Sequence, residues 1–225
     1  MNSLIDMTTN PIDLTIELRS ANGSSAEFYQ ADEERVREAL RMLAAPQLFA
    51  QRHLVLAWQH CGSMIPCKGI DMILVRTLAR TPLKFPLNLP VGVFDIVEQP
   101  QARPDSQSAT ISDSMKQEGE QPRRRNAHVE IHTLGGWTVA LNAVAMIRGN
   151  VQDERQLFSH LPDMPTIPFR LSEGGFGLIN TTNIICASAW PKPEALTGIT
   201  LPVELRRWTP SPIKSPATGG ERCLS

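Results

Sequence analysis

Apolar and acidic residues alternate in two short stretches of the chain. Ile16–Leu18 and Val129–Ile131 both have the order apolar, acidic, apolar, which is the period-2 pattern of a strand with one buried face. A turn signal follows each stretch, Asn22-Gly23 in the first and Gly135-Gly136 in the second. Corresponding positions lie 113 residues apart. The pattern therefore predicts two hairpins of similar design.

Nearly the same separation recurs further along the chain. Met64–Ile70 matches Leu178–Ile184 at an offset of 114 residues, and Leu89–Val91 matches Leu201–Val203 at an offset of 112. Because three places keep almost one offset, we expect a tandem duplication of one small unit. Asn180 ends a predicted strand, where its side chain suits bonding to backbone groups two residues further on.

The expected fold class is α+β and mainly β, with two small antiparallel units, each carrying one short helix. The first unit is predicted over residues 12–98 and the second over residues 127–208. Residues 99–126 are rich in Pro, Gln, Ser and charge, so too little apolar surface is available to offset the entropy of ordering, and a flexible linker is predicted. A similar composition predicts a disordered tail over residues 209–225.

The spacing of apolar residues predicts a helix in each unit. Val36, Leu40 and Leu43 follow an i, i+4, i+7 pattern, which indicates an amphipathic helix within residues 31–45, opened by an acidic run. Residues 152–161 are predicted to form its counterpart in the second unit.

The second unit resembles a known group of domains. Its order is strand, turn, strand, helix, strand, turn, strand, with Ile147–Gly149, Glu154–Leu161 and Asn180–Ile184 at the distinctive places. This order resembles an uncharacterised family of small bacterial β-rich domains, whose members carry a Gly-containing strand, an Arg-Leu-Ser-Asp-x-Leu-Asn helix and an Asn-x-x-x-Ile ending. The chain lacks the Ser-Asp of the family's helix and has Leu157-Phe158 near that place. The terminal hairpin is also similar to flagellar regulators of the FlbD type. The resemblance implies a fold and no particular chemistry.

Composition argues against several classes of partner. The 225 residues include 22 Lys and Arg against 23 Asp and Glu, so the net charge of −1 gives no general attraction to nucleic acid or to an anionic membrane. No apolar run reaches the roughly 18 residues that a membrane span requires. The N-terminus lacks the pattern of a signal peptide, and the four cysteines do not form a disulfide framework. A cytoplasmic protein is expected.

One strand carries a candidate metal site. His128, Glu130 and His132 alternate along the predicted strand, so their side chains share one face. Two imidazoles and a carboxylate could bind zinc or iron(II), which makes a metal-dependent enzyme one alternative. Strand positions two apart are separated by about 7 Å, so three ligands from one flat strand converge poorly. An ordinary polar face is the leading interpretation.

Other catalytic patterns are missing from the sequence. It contains no Gly-x-Ser-x-Gly, no phosphate-binding loop and no Cys-x2-Cys pair, so Cys61 and Cys67 are interpreted as ordinary thiols. Gly174–Gly177 lies between two strand patterns, where a hairpin turn explains it. We therefore expect no catalytic residue, no cofactor and no enzymatic activity.

The leading functional hypothesis is a non-catalytic bacterial module that binds or regulates another protein. Trp137 and Phe176 follow the Gly-Gly turns and are candidates for a protein-contact patch, with burial on the sheet as the favoured interpretation. Arg123, Arg124 and Arg125 are candidates for contact with nucleic acid, an acidic partner or an anionic lipid surface, with ordinary solvation as the favoured interpretation. A small-ligand sensor, with the ligand between the two units, is the other alternative. Limited proteolysis within residues 99–126 is expected to release two stable fragments.

Overall fold

The structure is a computed structural model. It describes residues 13–45, 47–58, 61–77, 93–99, 123–147 and 164–190. We call the described part of residues 13–77 the first half and the described part of residues 123–190 the second half. The predicted helix over residues 152–161, residues 100–122 of the predicted linker and the tail over residues 209–225 lie outside the described residues.

Strands make up most of the described residues, as predicted for a mainly β protein of the α+β class. The first half contains β1 (Leu14–Ser20), β2 (Ser25–Gln30), β3 (His53–Trp58), β4 (Cys61–Pro66) and β5 (Ile70–Arg76). The strand β6 (Val93–Glu98) lies between the halves. The second half contains β7 (Arg123–Thr133), β8 (Thr138–Ile147), β9 (Thr166–Arg170), β10 (Phe176–Asn180) and β11 (Ile184–Trp190). Short 3₁₀ turns are η1 (Leu48–Ala50), η2 (Cys67–Gly69) and η3 (Thr181–Asn183).

The helix predicted in the first half is confirmed as α1 (Glu33–Leu43). Its N-cap is Asp32, whose side chain accepts a hydrogen bond of 3.0 Å from the backbone N–H of Arg35. All three predicted apolar positions are buried and pack on the sheet. No helix among the described residues is long and apolar enough to cross a membrane.

Nine strands form one sheet in the order β11-β7-β8-β6-β9-β10-β5-β1-β2, and β3 and β4 form a separate hairpin. The halves meet where β10 pairs with β5. One shared sheet therefore replaces the two separate antiparallel units that were predicted. The physical reason lies in β5, whose residues Ile70–Val75 are all buried. A strand that is buried on both faces needs neighbouring strands and a packed layer on each side.

The two halves pair their first and last strands in the same register. A β1 position plus 113 gives its β7 counterpart, and a β5 position plus 114 gives its β11 counterpart. Both pairings shift by one residue at the end next to the hairpin turn, which leaves one bulged residue in β5 and one in β11. For example, Glu17 lies opposite Leu74 as Glu130 lies opposite Ser188. Ser20 lies opposite Ile70 as Thr133 lies opposite Ile184.

The hairpin turns of the two halves also have the same backbone geometry. Gly23 has a φ of 81° and Gly136 a φ of 80°, in the left-handed region that favours glycine. The backbone N–H of Gly23 donates to Ser20 O at 3.0 Å, and that of Gly136 donates to Thr133 O at 3.0 Å. The two predicted hairpins are therefore present and alike.

Two hydrophobic cores lie on the sheet, and each takes side chains from both halves. The first core joins α1, β1 and β5 to Phe176 and Leu178 of β10. The second core joins β6, β7, β8 and β9 to Met72 and Leu74 of β5. Alternate residues of β5 thus face different cores, which explains why the strand lacks a polar face.

The predicted boundary of the linker needs a correction. β7 begins at Arg123, inside the predicted linker over residues 99–126, and Arg123, Arg124 and Arg125 pair with the end of β8. β8 extends to Ile147, so its backbone groups supply hydrogen-bond partners for residues 123–126, the four strand residues that fall within the predicted linker. The three arginines therefore belong to a strand.

Candidate functional site

The most concentrated buried polar contacts lie where two turns of the second half meet the η2 turn of the first half. We call Asp71, Gly135, Trp137, Asn180 and Asn183 the turn junction. Asp71, Asn180 and Asn183 are at most 3% exposed. Buried polar groups cost free energy unless they are hydrogen-bonded, so the partners of these side chains show what the junction does.

Two asparagine side chains at the ends of η3 hold the η2 turn. The Asn180 amide donates to Ile70 O at 2.9 Å and to Cys67 O at 3.3 Å. The Asn183 amide donates to Lys68 O at 3.0 Å and to Ile70 O at 3.1 Å. These bonds add side-chain donors to carbonyl groups in η2 and at the start of β5, where Cys67 O also accepts from the backbone N–H of Ile70. Asn180 also accepts from the N–H of Thr182, two residues on, at 3.2 Å, as predicted.

Asp71 is the bulged residue of β5, and its carboxylate points into the junction. Its Oδ2 accepts from the backbone N–H of Gly135 at 2.7 Å, and its Oδ1 accepts from the Asn183 amide at 3.0 Å. A side chain at position 135 would lie against the carbonyl oxygen of Ser20 and only 2.8 Å from both Asp71 Oδ2 and Trp137 Nε1. The close approach of the two turns therefore requires glycine at this position.

Trp137 fastens the hairpin turn of the first half. Its indole Nε1–H donates to Ser20 O at 3.0 Å, and the Arg19 guanidinium lies 4.9 Å from the ring centroid, a cation–π distance. Phe176, the other aromatic residue predicted for a contact patch, is 1% exposed in the first core. Phe176 is therefore withdrawn as a contact-patch residue, since its ring is buried in the first core, the interpretation that the sequence favoured.

The metal candidate on β7 is only partly brought together. The inward residues Val129 and Ile131 are buried, so His128, Glu130 and His132 share the opposite face, as the alternation predicts. His132 Nε2 lies 3.0 Å from Glu130 Oε1, and its Nδ1 lies 3.0 Å from Thr138 Oγ1.

His128 has a different neighbour, with its Nδ1 3.1 Å from Gln99 Oε1. Both ring nitrogens of His132 thus have neighbours on β7 and β8, Glu130 Oε1 and Thr138 Oγ1. Among the residues that the structure describes, no three His, Cys, Asp or Glu side chains converge to hold a metal ion.

The corresponding place in the first half holds an ion-pair cluster. Glu17 contacts Arg19 at 2.7 Å and Arg76 at 2.8 Å. Burial alone would raise the pKa of Glu17, but hydrogen bonds and charge attraction from the two guanidinium groups outweigh it and hold the pKa below its usual value. Glu17 and Glu130 therefore share a position, with two guanidinium groups beside Glu17 and the imidazole of His132 beside Glu130.

An apolar cavity of about 200 Å³ lies between β6 and strands of the second half. Its lining is apolar apart from Thr181 and comes from β6, β7, β8, β9, η3 and β11; the residues are Ile96, Val129, Ile131, Leu141, Ala143, Ile167, Thr181, Ile184 and Ala187. An apolar hollow of this size can accommodate a small uncharged organic molecule.

The described cysteines do not resemble activated nucleophiles. Cys67 is 1% exposed, and burial raises the pKa of its thiol above the ordinary value. Cys186 lies opposite His132 in the pairing of β11 with β7, and its Sγ is 3.9 Å from Ser188 Oγ. Both thiols are free.

Sequence reasoning missed most of the turn junction. Asn180 was noted for its local bond, and Trp137 for its place after a turn, but Asp71 and Asn183 gave no separate signal. The partners of Asn183 lie up to 115 residues away in the chain. A polar residue within the otherwise apolar run Ile70–Val75 was the one available hint.

Comparisons with protein-family models, with curated proteins and with solved structures find no match to this chain.

Proposed function

We propose that the chain is a non-catalytic protein-interaction module in which one strand-and-helix unit is used twice. The recurring registers of β1–β5 and β7–β11 and the matching hairpin turns support the duplication. The polar groups of the turn junction bond to one another and to backbone carbonyls, which supports a structural role for them. We extend the proposal to a bacterial cytoplasmic protein, supported by the family resemblance and by the free thiols of Cys67 and Cys186.

The observation that carries the interaction role is an exposed apolar pair on the β3–β4 hairpin. Val55 and Met64 lie opposite each other in the register and are 59% and 70% exposed. Cross-strand neighbours on one face form a continuous surface, and an exposed apolar surface on a hairpin edge is typical of a protein-contact site. We therefore place the contact site at Val55 and Met64.

The test is partner capture by the immobilised full chain, compared between surface variants. We expect the wild-type chain to retain a partner that the double variant Val55→Ser/Met64→Ser loses, because removal of both side chains removes the apolar contact area. Met42→Ser is the matched control, since Met42 is 49% exposed on α1, away from the hairpin. Equal retention by all three chains, or by none, would contradict the proposal.

The cavity favours a second candidate function, the binding of a small uncharged apolar ligand between β6 and strands of the second half. A thermal-shift assay with indole and with 1-hexanol tests it, since a ligand that binds only the folded chain raises the Tm. Ala143→Leu should abolish the shift by filling the cavity. An unchanged Tm for the wild-type chain with both ligands would exclude ligands of this size and chemistry.

The metal-dependent enzyme remains a separate hypothesis about His128, Glu130 and His132. Metal analysis of the purified chain, after incubation with Zn²⁺ or Fe²⁺ and removal of the excess, tests it directly. Binding of about one ion per chain that is lost in His128→Ala would support the hypothesis, and absence of bound metal would remove it.

A further inference from the structure

One strand pairing made by the second half has no counterpart in the first. β10 corresponds to β4, and β5 corresponds to β11, by the 114-residue offset. β10 pairs with β5 in an antiparallel register. Among the described residues, β4 pairs with β3 and β11 pairs with β7, and β4 and β11 do not pair with each other. In the part of the chain that the structure describes, one edge of β4 and the corresponding edge of β11 are therefore without a strand partner.

The open edge of β11 has the composition of a strand that another strand covers. Its seven residues, Ile184–Trp190, include no charged residue and no proline. Exposed edge strands usually carry such residues to prevent pairing with other chains. The bulged residue Ile185 is 56% exposed. The edge thus lacks charged residues and proline, and its bulge lies at the Ile185 end, outside the stretch Cys186–Trp190 that pairs regularly with β7.

Residues that are buried in the existing pairing are exposed at the corresponding open edges. In the pairing of β10 with β5, Leu178 lies opposite Ile73, and they are 3% and 0% exposed. Their counterparts by the same offset are Met64 and Ala187. Met64 is 70% exposed and Ala187 is also exposed. Pairing β4 with β11 in the same register would cover both side chains.

We infer that β11 binds β4 of a second copy of this chain. Applying the 114-residue offset to the register of β10 with β5 places Ser63 opposite Ser188, Met64 opposite Ala187 and Ile65 opposite Cys186. A second copy fits better than the same chain, because Leu54, Leu56 and Ile65 already pack the β3–β4 hairpin on the first core. Over the described ranges each chain has one unpaired edge of β4 and one of β11, so two chains can pair both edges in a closed two-fold dimer.

This inference rests on the proposed interaction role, since it names the partner of the Met64 surface. Both edges are uncharged over the paired residues, so no charge is buried by the contact, which is made through backbone hydrogen bonds in the mode of strand addition. Purified chain is sufficient for the test. A failure of self-association would therefore leave the capture of a different protein, and with it the proposed function, intact.

Sedimentation equilibrium of the purified full chain tests the dimer. We expect a dimer for the wild type, and we expect Ala187→Lys and Met64→Lys each to raise the dimer Kd by about tenfold or more, because lysine in an apolar strand pair loses its hydration. Tyr29→Lys is the matched control, since Tyr29 is 64% exposed on β2, the opposite edge strand of the same sheet. A monomeric wild type, or equal effects of Ala187→Lys and Tyr29→Lys, would overturn the inference.

Disulfide trapping keeps the inference testable if a lysine variant misfolds. Two differently tagged chains, one with Met64→Cys and one with Ala187→Cys, are mixed and oxidised in a background with Cys61, Cys186 and Cys223 changed to Ser. We expect a disulfide that joins one chain of each type, and less of it in either variant alone. A double variant that forms the disulfide within one chain, while the mixture forms none, would assign β4 of the same chain to the edge and overturn the inference.

Discussion

At the end of β4 the first half has Pro66 and Gly69, whereas the second half has Asn180 and Asn183 at the corresponding places after β10. In each pair the first residue precedes a three-residue 3₁₀ turn and the second is the last residue of that turn. The asparagine side chains can donate hydrogen bonds, and proline and glycine have no side-chain donor. As a result the side-chain bonds at the turn junction run in one direction, from donors of the second half to acceptors of the first.

The bulged residues show the same difference. Asp71 in β5 is fully buried and accepts two hydrogen bonds, and its counterpart in β11 is Ile185, which is 56% exposed. One bulge thus directs a carboxylate toward the neighbouring turn, and the other presents an apolar side chain at an open edge. The difference teaches that backbone arrangement and turn docking are separable: similar strands form in both halves, and a few polar residues decide which turns are held together.

The largest effect is expected where the two halves approach most closely. Gly135→Ala should lower the free energy of unfolding by about 3 kcal/mol, because the added methyl group displaces the Ser20 carbonyl and Asp71. Urea denaturation measures the change. Gly69→Ala is the matched control, since a side chain there meets no atom within 4 Å, and it should change stability by less than about 1 kcal/mol. Similar losses in both variants would show that the junction is looser than described.

Removal of one junction donor should have the next largest effect. Asn183→Ala is expected to cost about 2–3 kcal/mol, because it removes a donor from two carbonyls and from the buried Asp71 carboxylate. Asn142→Ala provides the comparison, since its Oδ1 has no partner among the described residues, and its cost should stay below about 1 kcal/mol. The same urea series compares them, and an equal cost would argue against a specific role for the junction amides.

The ion-pair cluster of the first half predicts a pH-dependent difference. Glu17→Gln should cost about 1–2 kcal/mol at pH 7, since Glu17 bonds to two guanidinium groups. The folded pKa of Glu17 is lowered, so its contribution is complete above the unfolded pKa of about 4.5 and is lost as the pH falls through the folded value.

Thermal or urea unfolding from pH 7 to pH 2 measures the difference between wild type and Glu17→Gln. We expect it to shrink below about pH 4.5. Glu27→Gln, opposite Glu17 on β2 and exposed, is the control and should cost less stability at pH 7 than Glu17→Gln. A gap that widens toward acid pH would mean that the guanidinium groups do not stabilise the Glu17 carboxylate.

The smallest effect concerns the apolar cavity. Ala143→Val should raise the free energy of unfolding by about 1 kcal/mol, because the added methyl groups fill empty space. Ala127→Val, at another buried alanine that does not line the cavity, should instead be neutral or destabilising through overpacking. Differential scanning calorimetry of the two variants distinguishes them, and a loss of stability in Ala143→Val would show that the hollow is already filled in solution.

Local patterns in the sequence predicted individual helices and strands, but they did not predict contacts between residues distant in sequence. The spacing of Val36, Leu40 and Leu43 predicted α1, and the alternation around Glu130 predicted which residues of β7 face the core. Both depend on the fixed periodicity of one element. The formation of one shared sheet depends on the pairing of β10 with β5, and the local pattern of either strand does not specify its partner.

The candidate site shows the same limit. Glu130 and His132 lie two residues apart, so their shared face was predictable, whereas the bond from Asn183 to Lys68 spans 115 residues. The buried state of Phe176 likewise follows from the position of β10 beside β5, a pairing between halves. Sequence reasoning treated the halves as separate units and therefore predicted two fragments after proteolysis.

Cleavage between the halves is the most direct test of the shared sheet. A specific protease site is inserted within residues 100–122, the chain is cut under native conditions, and a denaturing gel confirms complete cleavage. Because β10 pairs with β5 and each core contains side chains from both halves, we predict that the two fragments elute together in size-exclusion chromatography at the volume of the intact chain. Two folded fragments that elute separately would contradict the account.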